Sequence, residues 1–366
     1  MKSFFWKFVR SSFDLARQVI KSNPWLRSIL YEHDNVAEFQ ELGIHEKMLA
    51  DRVRLDAYAL GIGRIVKPGD VVLDLGCGTG ILSLLAAKNS PDTIYAVDHS
   101  NIIDIAKRVA EHNDAKCIDF VKINSRQFTP DRKVDVLIHE QMGAFLFDEN
   151  MVENLMDLKR RVLKPGGQII PAKFELFMEP VCLKADYRLP YIWENNVHGI
   201  DYSFLKNDEL YNAIDRHQRF TPQVQREPRV PCGSLEYYLC NPEPLLVCDL
   251  NAMTSEDDIP TTITARKTVV RSGAADGVSI YFKTIFDKDI CFDTSLNSPN
   301  TNWRPPFFRF PRRQFDVNEA IDLTLKVGNF RDVATWSLSV TKVGESAAES
   351  VGRYSGIFKS HIGGES

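Results

Sequence analysis

Residues 71–98, VVLDLGCGTGILSLLAAKNSPDTIYAVD, decide the fold. An apolar run, VVLDL, enters a glycine-rich turn; the helix-prone ILSLLAAKN follows; a second apolar run, TIYAVD, ends on an acid. The same alternation continues downstream. A helical pattern runs through IIDIAKRVAEHN, strands are expected at DFVKIN and VDVLIHE, a helix through MVENLMDLKRRVL, and a last strand at QIIP. Strand and helix alternating from about Val71 to Pro171 imply an α/β fold, a doubly wound parallel sheet with crossover helices. The tetrapeptide Lys164-Pro165-Gly166-Gly167 is expected to close the last helix as a tight turn, because proline and paired glycine stop a helix and permit a reversal.

Beyond Pro171 the texture changes. Strand-like runs KFELFMEPV, TTITARKTVV, GVSIYFKTIF, AIDLTLKV and TWSLSVTKV follow one another without crossover helices, which implies an antiparallel sheet or barrel. A polar, aromatic stretch from Tyr187 to His217 interrupts them, with a periodicity that suits short helices. The expected organisation is N-terminal helices over 1–44, a Rossmann-like nucleotide-binding domain over 45–172, and a β-barrel domain over 173–366 carrying the insertion at about 187–217.

A chain of 366 residues is long for one core, and 44% hydrophobic with 26% charged residues is the composition of a globular protein. A net charge of -4 gives no clustered positive footprint for a phosphate backbone, so no nucleic acid partner is expected. Seven cysteines, odd in number, scattered and never paired as CxxC, signal neither a zinc site nor a disulfide framework, and a reducing cytoplasm fits them. In residues 1–30, Lys7, Arg10, Asp14 and Arg17 interrupt any signal-peptide core or membrane span. That segment reads as an amphipathic helix packed on the protein body, with attachment to a membrane surface as the alternative.

The turn Asp74-Leu75-Gly76-Cys77-Gly78-Thr79-Gly80 has the spacing GxGxG behind an acid, whereas dinucleotide binders set a pyrophosphate against GxGxxG. An acid beside the turn repels a pyrophosphate and attracts a cationic amino group. Asp98, at the end of the next strand, can accept both ribose hydroxyl hydrogens at the carboxyl edge of the sheet. Together they point to S-adenosylmethionine. The strand VDVLIHE delivers Glu140 to the same edge, and a short hairpin-like loop returns at Glu149. From spacing alone, these carboxylates are equally well surface charge, with Glu149 favouring a helix N-terminus.

The segment from Glu140 to Glu149 resembles the double-glutamate loop SEWMGYxLxYE of the protein arginine methyltransferase family. GIHEKMLADRVRLDAY, residues 43–58, resembles that family's cofactor-covering signature; YIWENNVHGIDYS, residues 191–203, its dimerisation arm; and SPNTNWRPP, residues 298–306, its Thr-His-Trp loop. The resemblance is dense over residues 43–171, patchy but ordered over 187–203 and 293–305, and absent in the first 30.

The resemblance implies methyl transfer from S-adenosylmethionine to a guanidino nitrogen of arginine in a protein or peptide, by a homodimer joined through the 187–217 arm. It implies that Arg54 clamps the methionyl carboxylate, that His45, Asp74, Gly76, Gly78, Gly80, Asp98 and Ser125 surround the cofactor, that Met48 and Met151 line the methyl pocket, and that Asp51 is paired from the loop holding Asn302. Physical need agrees: a sulfonium and a guanidinium, both cationic at neutral pH, repel, and Glu140 and Glu149 can offset that repulsion while turning one nitrogen toward the methyl group.

Departures fall mostly at the acceptor mouth. Asn302 stands for the family histidine, which puts a proton relay through Asp51 in doubt; Gln141 stands for a tryptophan; Asn35, Val36 and Phe39 lie where a tyrosine pair is usual; and the adenine-contacting glutamate falls near Asn124 or Ser125. Two alternatives follow, methylation of free arginine or a guanidino metabolite, and a cofactor-binding but weakly active partner subunit.

Overall fold

The computed structural model describes residues 41–147, 149–212, 230–330, 336–344 and the backbone of 352–355. The expected helix in residues 1–30, the tyrosine-pair positions and residues 213–217 of the insertion lie outside them.

Two helices, α1 (Leu42–Ala50) and α2 (Arg52–Ile65), lead into the parallel sheet β1 (Val71–Leu75), β2 (Thr93–Asp98), β3 (Ile118–Lys122), β4 (Val134–His139) and β5 (Leu163–Ile170). Its spatial order is β3-β2-β1-β4-β5. β1 is therefore central, and every residue of VVLDL is buried, as a strand covered on both faces requires. The crossovers are α3 (Ile81–Ala87), α4 (Ile103–His112) and α5 (Met151–Arg161). Each buries an apolar stripe, Ile103, Ala106 and Ala110 on α4, and Met151, Val152, Leu155, Met156 and Leu158 on α5. The basic last turn of α5 suits the negative end of the helix dipole, and its Arg161 Nη1 and Nη2 donate to the carbonyls of Phe128 and Ser125, fixing the loop after β3.

One turn differs from expectation. Lys164–Gly167 lies inside β5: pairing runs Val134 with Leu163, then Val136 with Gln168, so the tetrapeptide bulges out of a continuing strand. α5 ends earlier, at Arg161.

Past Pro171 all pairing among the described residues is antiparallel. β6 (Lys173–Leu183) leads to an excursion holding the two-residue hairpin β7 (Asn196–Val197) and β8 (Ile200–Asp201). Then come β9 (Leu235–Tyr238), β10 (Leu246–Asp249), β11 (Thr262–Thr268), β12 (Gly273–Ile285), β13 (Cys291–Asp293), β14 (Phe307–Phe315), β15 (Ala320–Val327), β16 (Trp336–Lys342) and β17 (Gly352–Ser355). One sheet orders β10-β6-β12-β13, with β14 on β12 and β9 on β6; the other orders β11-β15-β16-β17. The sheets share one hydrophobic core, and an isolated bridge joins Cys240 to Val269 between them.

β14 escaped the sequence reading because Pro311 and three arginines disguise it. Residues 310–312 oppose only Asp276, so the proline sits in a bulge where no ladder hydrogen bond is needed. Gly277 faces that bulge, and a Cβ there would strike the Phe308 carbonyl.

The insertion is less helical than expected. Its described part has 3-10 turns at Ile192–Glu194 and Ser203–Asn207, the β7–β8 hairpin, and helical residues 209–212.

Candidate active site

The carboxyl ends of β1, β2, β3 and β4 and helices α1 and α2 enclose a cavity of about 250 Å³. At the end of β1 the chain turns through Gly76, Gly78 and Gly80, all with positive φ, a conformation other residues rarely adopt. Gly78 is also tight: a Cβ would come within 3.2 Å of the His45 ring. Its N–H donates to Asp98 Oδ2 at 2.9 Å, while Ser100 N–H and Oγ donate to Oδ1 at 2.8 and 2.7 Å. The Asp98 carboxylate is thus held rigidly at the end of β2 while still lining the cavity.

Glu140 follows β4 directly. Its Oε2 accepts from Arg54 Nη1 at 2.9 Å, and Arg54 Nη2 donates to the Met48 carbonyl at 2.6 Å. Burial pushes the Glu140 carboxyl up to about 7; Arg54 pulls against the shift and Asp51 adds to it. The loop beyond Glu140 closes on itself as a one-bridge hairpin, Leu146 N–H donating to Gly143 O at 2.9 Å, with Leu146 and Asn150 at positive φ. This returns Glu149 to the same cavity wall.

The structure brings together nine of the fourteen expected site residues on the cavity wall: His45, Met48, Arg54, Gly76, Gly78, Asp98, Ser125, Glu140 and Glu149. The other five sit elsewhere. Asp74 is fully buried beneath the turn, its Oδ2 accepting from Ser83 Oγ at 2.6 Å, and burial raises its carboxyl to about 6. It ties β1 to α3 and does not line the cavity. Met151 is fully buried, packed in the hydrophobic core. Gly80 caps α3, where a Cβ would meet Ala106 at 3.2 Å.

Asp51 caps α2 through Arg54 N–H at 3.1 Å and accepts the main-chain N–H of Asn302 at 2.6 Å. Asp51 and residue 302 thus meet through the backbone N–H, which any residue except proline supplies at that position. Its neighbour Trp303 donates Nε1–H to the Met142 carbonyl at 2.5 Å, pinning the loop to the segment between the glutamates.

The reading missed other lining residues: Tyr58, Cys77, His99, Arg126, Asn150 and Asn154. Tyr58 lies one helical turn beyond Arg54 on α2, a signal that i,i+4 spacing offered. Cys77, His99 and Arg126 follow Gly76, Asp98 and Ser125 directly in sequence.

The methyltransferase domain family matches residues 72–167, a span that holds the glycine turn, all three crossover helices and most of the five parallel strands. That places the chain in the class of methyltransferase-domain proteins. Over 288 residues it is 31% identical to Dictyostelium discoideum protein arginine N-methyltransferase 1, spanning 76% of this chain and 79% of that protein. Over 311 residues it is 30% identical to the Saccharomyces cerevisiae protein of the same name, spanning 81% and 84%. The chain belongs to the protein arginine N-methyltransferase family.

A solved chain of the Trypanosoma brucei PRMT1 enzyme-prozyme heterotetrameric complex with AdoHcy superposes with a TM-score of 0.68 at 26% identity, over 86% of this chain and 97% of that one. Arabidopsis thaliana protein arginine methyltransferase 10 has the same fold, TM-score 0.68 at 21% identity, over 87% and 98%.

Proposed function

We propose that this chain is an S-adenosylmethionine-dependent N-methyltransferase acting on the guanidino group of arginine in proteins or peptides. The observation that carries the reading is that Glu140 already holds a guanidinium, that of Arg54 at 2.9 Å, on the wall of a cavity that Glu149, the glycine turn and Asp98 also line. A planar fork and a carboxylate match in shape and charge, and an acceptor arginine brings a second such fork. The names of the Dictyostelium and yeast relatives support the acceptor, and the AdoHcy in the trypanosomal complex supports the cofactor.

The residues present fit S-adenosylmethionine. A Cβ at Gly76 would meet nothing within 4 Å, leaving open space beside the turn, and Asn150 Oδ1 is buried on the same wall without a hydrogen-bond partner. When bound, the cofactor supplies an electrophilic methyl group on a sulfonium.

Asp98 is the acceptor for ribose hydroxyls, Arg54 the cation for the methionyl carboxylate, and Met48 a wall of the methyl pocket. Glu140 and Glu149 hold the acceptor fork, offset the repulsion between two cations and orient one nitrogen, a positioning effect worth roughly 7 to 11 kcal/mol in well-aligned systems. The guanidinium nitrogen releases one proton as it gains a methyl group. A carboxylate with an affinity near neutrality, as Glu140 has, suits that proton.

The reading includes a homodimer through the 187–217 arm. Leu189, Ile200, Phe204 and Leu210 expose apolar surface along it, which a second copy would cover.

Mass spectrometry after incubation with S-adenosylmethionine and, separately, an arginine-glycine-rich peptide, free arginine and a cell extract tests the activity. A methyl increment on peptide or protein arginine is expected. Modification of free arginine alone, or of another residue type, refutes the acceptor.

A further inference from the structure

His139, the residue immediately before Glu140, is clamped at both of its polar ends. Its carbonyl accepts from the hydroxyl of Tyr58 at 2.7 Å, and its ring Nε2 lies 2.9 Å from the carbonyl of Pro171. Because a carbonyl only accepts, Nε2 carries the hydrogen, and Nδ1 is left buried without a partner. Tyr58 and His139 are both fully buried.

The two anchors come from different parts of the molecule. Tyr58 stands on α2 one turn beyond Arg54, so α2 grips this point twice: Arg54 holds the Glu140 carboxylate, and Tyr58 holds the main chain behind it. The Tyr58 ring is set edge-on against Phe286 just after β12, with centroids 4.9 Å apart, and Phe286 also presses on Gly61 of the same helix. Pro171 begins the connection into β6. The joint between the parallel sheet and the antiparallel sheets therefore converges on the residue that carries Glu140.

We infer that Tyr58 and His139 are positioning residues for Glu140, fixing its carboxylate against Arg54 by locking the backbone one residue upstream. The inference rests on the proposed methyl transfer for its kinetic consequence, though not for its structural one.

Neither residue acts by charge near neutrality. Burial drives the Tyr58 hydroxyl well above the usual phenol range and lowers the His139 imidazole to about 4. The ionisable side chains that act on Glu140 are Arg54 on α2 and Asp51 at its cap, and Glu149 lines the same cavity. A small retreat of Glu140 weakens the charge-assisted bond to Arg54 steeply while leaving its burial almost unchanged. Its proton affinity then rises.

The test uses the full chain carrying Tyr58→Phe, which keeps the ring against Phe286 and deletes the hydroxyl. Glu140 ionisation is read from carboxyl infrared absorption as the difference from the same protein carrying Glu140→Gln, and kcat/KM on an arginine peptide is followed against pH. Expected are an upward shift of Glu140 titration by about half a pH unit, a matching shift of the acid limb, and a fall in kcat on the order of tenfold.

His139→Leu, which keeps the main-chain bond and loses the tie to Pro171, should shift the titration in the same direction and replaces Tyr58→Phe if that variant does not fold. A lower unfolding midpoint with Glu140 titration unmoved makes the contacts merely structural and overturns the inference. If the infrared shift occurs while wild type methylates no arginine, positioning stands and the proposed activity falls.

Discussion

Glu140→Gln offers the sharpest test of the chemistry, because the structure separates its effect on folding from its effect on rate. The carboxyl is pushed from an ordinary 4.5 up to about 7 even though Arg54 lies 2.9 Å away, so burial outweighs the guanidinium. In the unfolded chain the group ionises near 4.5. The native state therefore holds the proton more tightly, and ionising Glu140 erodes stability as pH rises from about 4.5 to about 7, by about 3 kcal/mol at 1.36 kcal/mol per unit.

Glutamine escapes that erosion and keeps an acceptor oxygen for Arg54. At pH 8 the variant should unfold at a denaturant concentration no lower than wild type. Its rate should nevertheless fall about a hundredfold, the roughly 3 kcal/mol commonly lost with one preorganised charged partner. Wild-type kcat/KM, requiring the ionised carboxylate, should drop about tenfold for each pH unit below about 7. The variant should be flat. The two profiles then converge about two units below that value, where wild type retains roughly one part in a hundred. Steady-state kinetics on an arginine peptide, with denaturant unfolding alongside, measures both. A variant that keeps the acid limb, or runs near the wild-type rate at pH 8, refutes the role given to Glu140.

Gly78→Val should weaken S-adenosylhomocysteine binding by at least tenfold in calorimetry, since even a Cβ crowds His45 at 3.2 Å and the backbone φ is positive; Asp98→Ala should do the same by freeing the Gly78 N–H, and a wild type that prefers NADH contradicts both. Phe204→Asp, placing charge on an exposed apolar residue of the arm, should shift sedimentation from dimer toward monomer and lower activity; a wild type that is already monomeric at micromolar concentration refutes the dimer. Asn302→His should leave the pH profile and rate within about twofold, because Asp51 is held by the main-chain N–H at 302; a new limb near the histidine range would instead reveal a proton path through the side chain.

Much of this protein is written locally in its sequence. Five parallel strands, three crossovers and the glycine turn were legible because apolar periodicity and turn residues act over a few positions. Asp98 and Glu140 were legible for the same reason: a strand's carboxyl end fixes which sheet edge its next residue reaches, and both line the cavity.

Tertiary structure alone decided which neighbours of those residues face the ligand space. Asp74 lies on the central strand yet turns to Ser83, and Met151 is swallowed by the core, although both matched expected site positions. β14 formed despite Pro311 because the bulge around Asp276 removes the need for its missing N–H. The contacts that set Glu140, Tyr58 with the carbonyl of His139 and His139 with Pro171, span 81 and 32 positions along the chain. No local pattern encodes such bonds, because they are made to backbone carbonyls, which every residue has, and their partners are chosen only when distant segments pack together.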